Sequence, residues 1–281
     1  MKRPFVIGVS LLGFAAPAVA ADIPVKAPIR APVTAPAYNW SGFYIGGFVG
    51  GAFGDRNATS TQPCSVAAPA VCYNTPLATS VVNSYDLDSS IIGGGTIGYN
   101  WQPAGSQWLL GLEAEVGYIR LNRSVVDGNA IAAFGPASTN GIDTTRIGDW
   151  YAVLAARAGF TVDRVLVYGK GGVAFVDKHY DYTDVCTAAP ACGPLTLTMG
   201  RSDTRVTWAA GGGIEWAFAS NWSLKGEYLY LATRETITVT GTTGPAPGTP
   251  VSNTHTDPGV HTAKLGLNYK FDWGGPVVAR Y

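Results

Sequence analysis

The chain has 281 residues, and its 19 basic residues balance its 19 acidic ones. This balance leaves no basic face for nucleic acid and no acidic tail, so nucleic-acid binding is not expected. Only 14% of the residues are charged, whereas 36 are glycine and 11% are aromatic, which is unusual for a soluble enzyme and typical of a thin-walled barrel with aromatic girdles.

The N-terminus has the three parts of a signal peptide. Met1-Lys2-Arg3 is basic, the run that follows as far as Ala16 is mostly apolar, and Ala18-Val19-Ala20 supplies the small side chains of a cleavage site. We predict a signal peptide over residues 1–20, with cleavage after Ala20. A retained membrane anchor is the alternative, but no basic stop-transfer cluster follows the apolar run.

Residues 21–38 carry a proline at every third or fourth position and show no hydrophobic periodicity. This composition favours extended polyproline conformations and predicts a periplasmic linker. Residues 39–281 repeat one pattern throughout and are predicted to form one domain. No apolar run long enough for a membrane-spanning helix follows Ala20, so the chain must cross a membrane with strands.

Eight segments of about ten residues alternate apolar side chains with mixed ones, as strands do when one face meets lipid and the other a lumen. In chain order they are 43–53, 91–101, 108–118, 150–160, 165–175, 208–218, 222–230 and 263–271. The third segment is the clearest, because Trp108, Leu110 and Leu112 share one face and Glu113 and Glu115 the other. The sequence therefore predicts an all-β fold, an eight-stranded antiparallel transmembrane β-barrel.

Short and long connections alternate between these segments, as they do in outer-membrane barrels. The short ones are predicted periplasmic turns, at 103–106, 162–163 and 220–221. The long ones are predicted polar extracellular loops, at 54–90, 121–146, 177–205 and 232–260. Both ends of the barrel domain then lie on the periplasmic side, as an even number of strands requires.

Extending the alternation places eight charged side chains on the inner face. They are Glu113, Glu115, Arg157, Lys170, Glu215, Lys225, Glu227 and Lys264. Because eight strands enclose an interior just wide enough for side chains to fill, these four acids and four bases are expected to pair as a structural plug. A polar pore for small solutes is the alternative, and it requires the pairs to open transiently.

Glu113 and Glu115 also have a spacing that acid–base catalysis can use, since adjacent inward positions of one strand lie ~6.8 Å apart. A packed lumen, however, offers no cleft for a substrate. No Ser/His/Asp set occurs at a recognisable spacing either. We therefore predict no catalytic residue and no enzymatic activity.

The three histidines, His179, His255 and His261, are scattered along the chain. His179 with Tyr180 and Tyr182 is a candidate for an extracellular haem or metal site, and solvated loop side chains are the alternative. We predict no resident metal ion and no cofactor.

Four cysteines fall in two of the predicted loops, Cys64 and Cys72 in the first and Cys186 and Cys192 in the third. Secretion permits disulfides. The local pairs 64–72 and 186–192 are the simplest of three connectivities. A zinc site is not favoured, because the spacings are not those of zinc modules.

Three motifs and the proline-rich segment resemble the alphaproteobacterial outer-membrane immunogenic protein family, which consists of small porin-like β-barrels. The motifs are residues 40–47 (WSGFYIGG), 168–173 (YGKGGV) and 267–273 (LNYKFDW), and the resemblance covers about residues 39–281. It implies an eight-stranded OmpA-like barrel that is surface-exposed, antigenic and important to envelope integrity; some relatives are described as porins or haemin binders. The chain departs from the usual terminal phenylalanine and ends on Tyr281.

Three functions follow as expectations for a protein of the cell outer membrane. The first is a structural barrel that contributes to envelope integrity and presents antigenic loops, the second a narrow porin, and the third a surface receptor for haemin or a host ligand. The expected partners are outer-membrane lipid, lipopolysaccharide and the barrel assembly machinery. Oligomeric state is not readable from the sequence.

Overall fold

The computed structural model describes residues 38–61, 64–65, 82–127, 141–186, 195–243 and 249–271. The predicted signal peptide, nearly all of the predicted linker and the C-terminal residues 272–281 lie outside this part and stay predictions. The described residues contain no helix long and apolar enough to cross a membrane.

The described part of the chain folds into fourteen strands. They are β1 (Gly42–Gly54), β2 (Ala58–Thr61), β3 (Cys64–Ser65), β4 (Val82–Tyr85), β5 (Ser90–Trp101), β6 (Trp108–Tyr118), β7 (Arg120–Asp127), β8 (Gly141–Val162), β9 (Val165–Cys186), β10 (Leu195–Ala217), β11 (Trp222–Leu231), β12 (Thr236–Thr243), β13 (Thr249–Thr256) and β14 (Val260–Lys270).

Eight of these strands pair in a closed antiparallel ring, in the order β6, β5, β1, β14, β11, β10, β9, β8 and back to β6. Within the ring, closure pairs each strand with a neighbour on both sides, so the barrel wall has no open edge. Each ring strand overlaps one of the eight segments that alternate in the sequence, and only residues 218 and 271 of these segments fall outside the strands. The predicted all-β, antiparallel barrel is confirmed.

The two faces of the barrel wall follow the period of two along each strand. On β1, Phe43 is 52% exposed and Tyr44 only 3%, and the same contrast separates Val49 from Phe48. The outward apolar side chains form a belt with aromatic residues at its borders, such as Trp108 and Trp222 at the turn end and Trp150 and Trp208 towards the hairpin end. An exposed apolar belt with aromatic borders is the surface expected of a barrel that faces lipid.

Three short turns close one end of the barrel, which we call the turn end. In the first, Gly105 adopts a positive φ of 74° and Ser106 donates its N–H to the Pro103 carbonyl at 2.9 Å. The second turn consists of Asp163 and Arg164, one residue later than predicted, because Val162 still pairs with Val165. The third turn spans residues 218–221 and begins two residues before the predicted 220–221, because β10 already ends at Ala217.

The opposite end, the hairpin end, differs from the prediction of four polar loops. Those connections are long, but much of their described length is strand. Strands β8, β9 and β10 run for 22, 22 and 23 residues. Strand β7 pairs with residues 141–148 of β8, the part of β8 at the hairpin end. A second sheet has the order β12, β13, β2, β4, with β3 also paired to β13. The prediction missed these strands because it required an apolar lipid-facing stripe, which strands beyond the membrane do not need.

The inward side chains of β9 show how the interior is layered from the turn end to the hairpin end. Leu166 belongs to an apolar cluster at the turn end, and Lys170 to a charged layer. Val176 belongs to a second apolar cluster, Lys178 to a second polar layer, and Tyr182 to a third apolar cluster. Polar and apolar layers therefore alternate along the barrel axis.

The second cluster, which we call the apolar layer, lies between the two polar layers and overlaps the charged one, since Val153 and Ala155 are the register partners of Glu115 and Glu113. Its buried members are Phe48, Ala52, Ile92, Ile119, Leu121, Ile147, Tyr151, Val153, Ala155, Ala174, Val176, Ala209, Leu229, Leu231 and Val260. They come from every strand of the ring, counting the residue after β6, so the layer lines the barrel around its whole circumference.

Candidate functional site

The structure brings all eight predicted inward charges together in one buried cluster, the lumen charge network. Its acids are Glu113 and Glu115 on β6, Glu215 on β10 and Glu227 on β11; its bases are Arg157 on β8, Lys170 on β9, Lys225 on β11 and Lys264 on β14. Each of the eight residues is at most 5% exposed. They converge because each occupies an inward position at a similar level of its strand.

Lys170 lies at the centre of this network. Its ammonium is 2.7 Å from Glu113, 3.0 Å from Glu115 and 2.8 Å from Glu227. Three carboxylates from two strands thus share one cation. Charge-assisted hydrogen bonds of this length are the strong ones in proteins.

Lys264 and Lys225 bring further cations to the same carboxylates. Lys264 is 2.5 Å from Glu115 and 2.7 Å from Glu227, and its ammonium also lies over the Phe48 ring, 5.0 Å from the centroid. Lys225 is 3.3 Å from Glu113. None of these carboxylates is left to a single partner.

Arg157 connects the network to the turn end. Its guanidinium is 3.3 Å from Glu215 and 3.5 Å from Glu113, and its Nε donates to the Asn100 side chain at 2.8 Å. The guanidinium also lies over two tyrosine rings, 4.6 Å from the centroid of Tyr44 and 5.1 Å from that of Tyr168. Because these contacts hold the guanidinium on several sides, it has little freedom to move aside and open a path for solutes through the lumen.

Hydroxyl groups that the sequence analysis did not assign to the site complete the hydrogen bonding of the carboxylates. Tyr44 donates to Glu113 at 2.7 Å, Tyr151 to Glu115 at 2.6 Å, and Tyr168 to Glu227 at 2.7 Å. Ser223 donates to Glu215 at 2.5 Å. All are inward positions of predicted strands, so extending the inner set from charged to hydroxyl residues would have found them.

The arrangement suits charge pairing and leaves Glu113 and Glu115 badly placed for acid–base catalysis. Both carboxylates bind Lys170 and accept a tyrosine hydroxyl, so no oxygen pair faces a cleft. Four acids balance four bases in a low-dielectric interior, where breaking one pair would leave a costly buried charge.

A second buried cluster, the upper polar network, lies beyond the apolar layer at the hairpin end. His255 on β13 contacts Asp257 at 2.7 Å and Thr145 of β8 at 3.4 Å. Asp257 binds the Lys178 ammonium of β9 at 2.9 Å, and Tyr85 of β4 hydrogen-bonds to Thr145 at 2.7 Å. The second sheet is thereby joined to the barrel wall.

The same network continues through Asp143 of β8. Its carboxylate accepts hydrogen bonds from Tyr180 at 2.8 Å and Ser60 at 3.0 Å, and Asn253 donates to the Tyr180 hydroxyl at 2.7 Å. The Tyr180 ring stacks on His255, with centroids 4.4 Å apart. Strands β2, β8, β9 and β13 meet here, although they are far apart in sequence.

Electrostatics in the upper polar network favour an ionised Asp257. Burial opposes ionisation of this carboxyl, but the hydrogen bond with His255 and the nearby Lys178 ammonium outweigh it and hold the pKa of Asp257 below its usual range. Part of the stability at the hairpin end therefore depends on a deprotonated acid.

The candidate haem or metal set of His179, Tyr180 and Tyr182 does not converge. Tyr180 and Tyr182 point inwards and are at most 2% exposed, whereas His179 lies on the outer face of β9. Alternation along the strand separates them. His255 is buried in the upper polar network, and His261 lies on the barrel wall against Tyr228.

The cysteine pairs stay predictions. Cys64 lies on β3 and Cys186 ends β9, but Cys72 and Cys192 lie outside the described residues, so neither predicted pair can be placed.

The family model for the outer membrane protein beta-barrel domain matches residues 8–271 of this sequence. The chain belongs to this outer-membrane β-barrel family. It is similar to the 31 kDa outer-membrane immunogenic protein of Brucella melitensis, with 32% identity over 197 residues that cover 68% of this chain and 71% of the relative; the Brucella suis protein gives the same values. The protein is therefore an integral protein of the cell outer membrane, as predicted.

Solved outer-membrane proteins resemble this barrel more distantly. The crystal structure of OprG from Pseudomonas aeruginosa is 14% identical, with a TM-score of 0.42, and covers 82% of this chain and 97% of its own. The solid-state NMR structure of AlkL in lipid bilayers is 16% identical, with a TM-score of 0.41, and covers 88% and 98%. Likeness at this level carries no argument about function.

Proposed function

We propose that this outer-membrane barrel is a non-catalytic structural protein, which contributes to envelope integrity and presents its hairpin end as an antigenic surface. The observation that supports this proposal is the filled interior: a neutral charge network, an apolar layer and a second polar network follow one another along the axis. A solute would have to separate buried ion pairs and then cross an apolar layer, each at a cost of several kcal/mol.

Outer-membrane barrels keep their short turns in the periplasm, so the hairpin end is extracellular. The second sheet then forms the outermost described surface. Its β12 strand exposes Thr236, Thr238, Thr240 and Thr242, a polar face available to antibodies. We also propose that lipid and lipopolysaccharide cover the outer belt and that the barrel assembly machinery inserts the chain.

Conductance in a planar bilayer tests the sealed lumen, using protein purified from outer membranes. We expect no steady openings for the wild type or for Glu113→Gln plus Glu115→Gln, because the apolar layer is intact in both. Replacement of Phe48 and Ile92 by glycine thins that layer and serves as the variant in which openings are expected. Steady wild-type openings whose ion selectivity changes in the glutamine variant would instead make the protein a narrow porin.

Antibodies test the surface role separately. Antibodies against residues 236–256 should bind intact cells, whereas antibodies against the linker residues 21–38 should bind only permeabilised cells. Strains that lack the protein should become sensitive to detergent and recover with the wild-type gene. Normal detergent resistance in such strains would contradict the envelope role.

A further inference from the structure

An irregularity in β8 shapes a small polar site on the outer wall of the barrel. The pairing of β8 with β9 shifts register between Ile147 and Tyr151. Within this bulge Gly148 has a φ of 108° and Asp149 a φ of 121°, a region that residues with a side chain rarely adopt. Bulges of this kind redirect a side chain, and here the side chain is the Asp149 carboxylate.

Two further side chains with metal-binding atoms lie beside Asp149. Asp177 and His179 are two residues apart on β9 and share its outer face, since Val176, Lys178 and Tyr180 between and around them are buried. The His179 Nε2 is 2.8 Å from an Asp177 oxygen. One ligand atom from each of Asp149, Asp177 and His179 lies within 4.8 Å of the other two.

One atom of this group also lacks a hydrogen bond. The Asp149 side chain is 41% exposed, but its Oδ1 is shielded from solvent and makes no hydrogen bond in the described structure. This oxygen lies 3.4 Å from the Arg120 Nε, a long contact. A shielded carboxylate oxygen without a hydrogen bond is the kind of atom that a bound cation would satisfy.

We propose that Asp149, Asp177 and His179 bind a divalent transition-metal ion of the zinc class. One imidazole nitrogen and two carboxylate oxygens are ligands that Zn²⁺ accepts, with a remaining position for water or an external ligand. The imidazole favours a transition ion over Ca²⁺ or Mg²⁺, which prefer oxygen ligands throughout.

Two arginines compete for the same carboxylate. Arg120 is 3.4 Å and Arg146 is 3.5 Å from Asp149, and Arg146 is directly opposite His179 in the β8–β9 register. A metal ion must displace these guanidinium groups or share Asp149 with them. Removing Arg146 should therefore tighten metal binding, whereas an ordinary surface ion-pair cluster would give no such gain.

On the outer face of the barrel, the site lies next to the aromatic border of the lipid-facing belt, on its hairpin-end side. Trp150 follows Asp149 on β8, and Phe175 is the outward residue before Asp177 on β9. The ion would be held at the level of the outer-leaflet headgroups, outside the sealed lumen. The proposal thus stands independently of whether the barrel conducts.

Calorimetry with Zn²⁺ and visible spectroscopy with Co²⁺ test the proposal. The protein is purified without a histidine tag from outer membranes, treated with a chelator, and alkylated so that free thiols do not bind metal. We expect one ion per barrel. His179→Ala and Asp177→Asn should each weaken binding about tenfold or more, and Arg146→Gln should strengthen it. Excess Mg²⁺ should not compete.

The matched control is Asp181→Asn, which removes the next outward carboxylate of β9 without touching the site, and its affinity should equal that of the wild type. Circular dichroism and heat-modifiable migration show which variants are folded. If His179→Ala does not fold, the Arg146→Gln gain and the Co²⁺ spectrum of the wild type decide the matter. Absence of binding by the wild type, or equal affinity in folded His179→Ala, would overturn the proposal.

Discussion

The two buried polar networks of this barrel solve different problems with different side chains. The lumen charge network joins strands that the lipid-facing pattern already defines, and it uses long ionic side chains in equal numbers of each sign. The upper polar network uses Asp143, His255, Asp257 and Lys178 with several hydroxyl groups, and it joins the second sheet to the barrel wall.

The two networks differ because the free-energy cost of a buried polar group depends on where it lies in the barrel. Within the membrane, carboxylates and ammonium groups are sealed by the wall and the apolar layer, so only complete pairing is tolerated. Beyond the membrane, mixed hydrogen bonds suffice, because local opening of the second sheet leaves the ring strands paired and therefore costs less. Damage to the first network should therefore destabilise the whole barrel, and damage to the second should loosen its extracellular end.

The largest effect is expected from Lys170→Met, which leaves three carboxylates without their shared cation. We expect a loss of about 3–5 kcal/mol in the free energy of unfolding, because uncompensated buried charges remain. Urea unfolding in lipid vesicles, followed by tryptophan fluorescence, measures it. The double variant Lys170→Met plus Glu113→Gln should recover part of the loss; a single variant as stable as the wild type would show that Lys170 is not a required partner.

A smaller and local effect is expected from Asp257→Asn. Losing this carboxylate should cost about 1–3 kcal/mol, seen as faster hydrogen exchange in β12 and β13 while the ring strands stay protected. If the ring strands exchange faster to the same degree, the two networks form one cooperative unit. The effect of the upper polar network is then not local.

Low pH should weaken the contacts of Asp257 with His255 and Lys178, because the pKa of Asp257 is lower in the folded protein than its usual 3.8. A depressed carboxyl pKa contributes stability that is present above the unfolded value and lost as the pH falls through the folded value. After correction for the intrinsic pH dependence of amide exchange, exchange in β12 and β13 should therefore accelerate only below about pH 3.8, and Asp257→Asn should flatten this response. Acceleration that persists unchanged in the variant would assign it to another group.

The smallest effect is expected from Arg123→Ala, which removes an exposed pair with Asp88 at 2.8 Å. Solvent screens such pairs, so the change in stability should be at most about 1 kcal/mol. The same urea unfolding measures it and provides the baseline for the two buried networks. A loss as large as that of Lys170→Met would mean that burial does not explain the difference.

Alternation on β6 predicts the inner face, since Glu113 and Glu115 fall between Trp108, Leu110 and Leu112. The positions of all eight network charges follow from that rule, because a wall that faces lipid must be apolar at every second residue. The partners do not follow, since Lys264 meets Glu115 across 149 residues of sequence.

The upper polar network could not be predicted in this way. The outward residues of β8 beyond the membrane include Thr144 and Arg146, so the lipid-facing signal disappears while the strand continues. The bulge at Gly148 and Asp149 left no periodic signal either, because a register shift is itself a break in the period. The sequence alone therefore identifies no partner for His255.

The lumen charge network also bears on how the barrel is completed in the outer membrane. Its partners come from both ends of the domain: Tyr44 on β1 and Lys264 on β14 reach Glu113 and Glu115 on β6. We expect these pairs to be weaker while β1 and β14 are unpaired, because water at an open seam would screen them. Pairing of the first strand with the last should therefore strengthen the ion pairs as it closes the barrel.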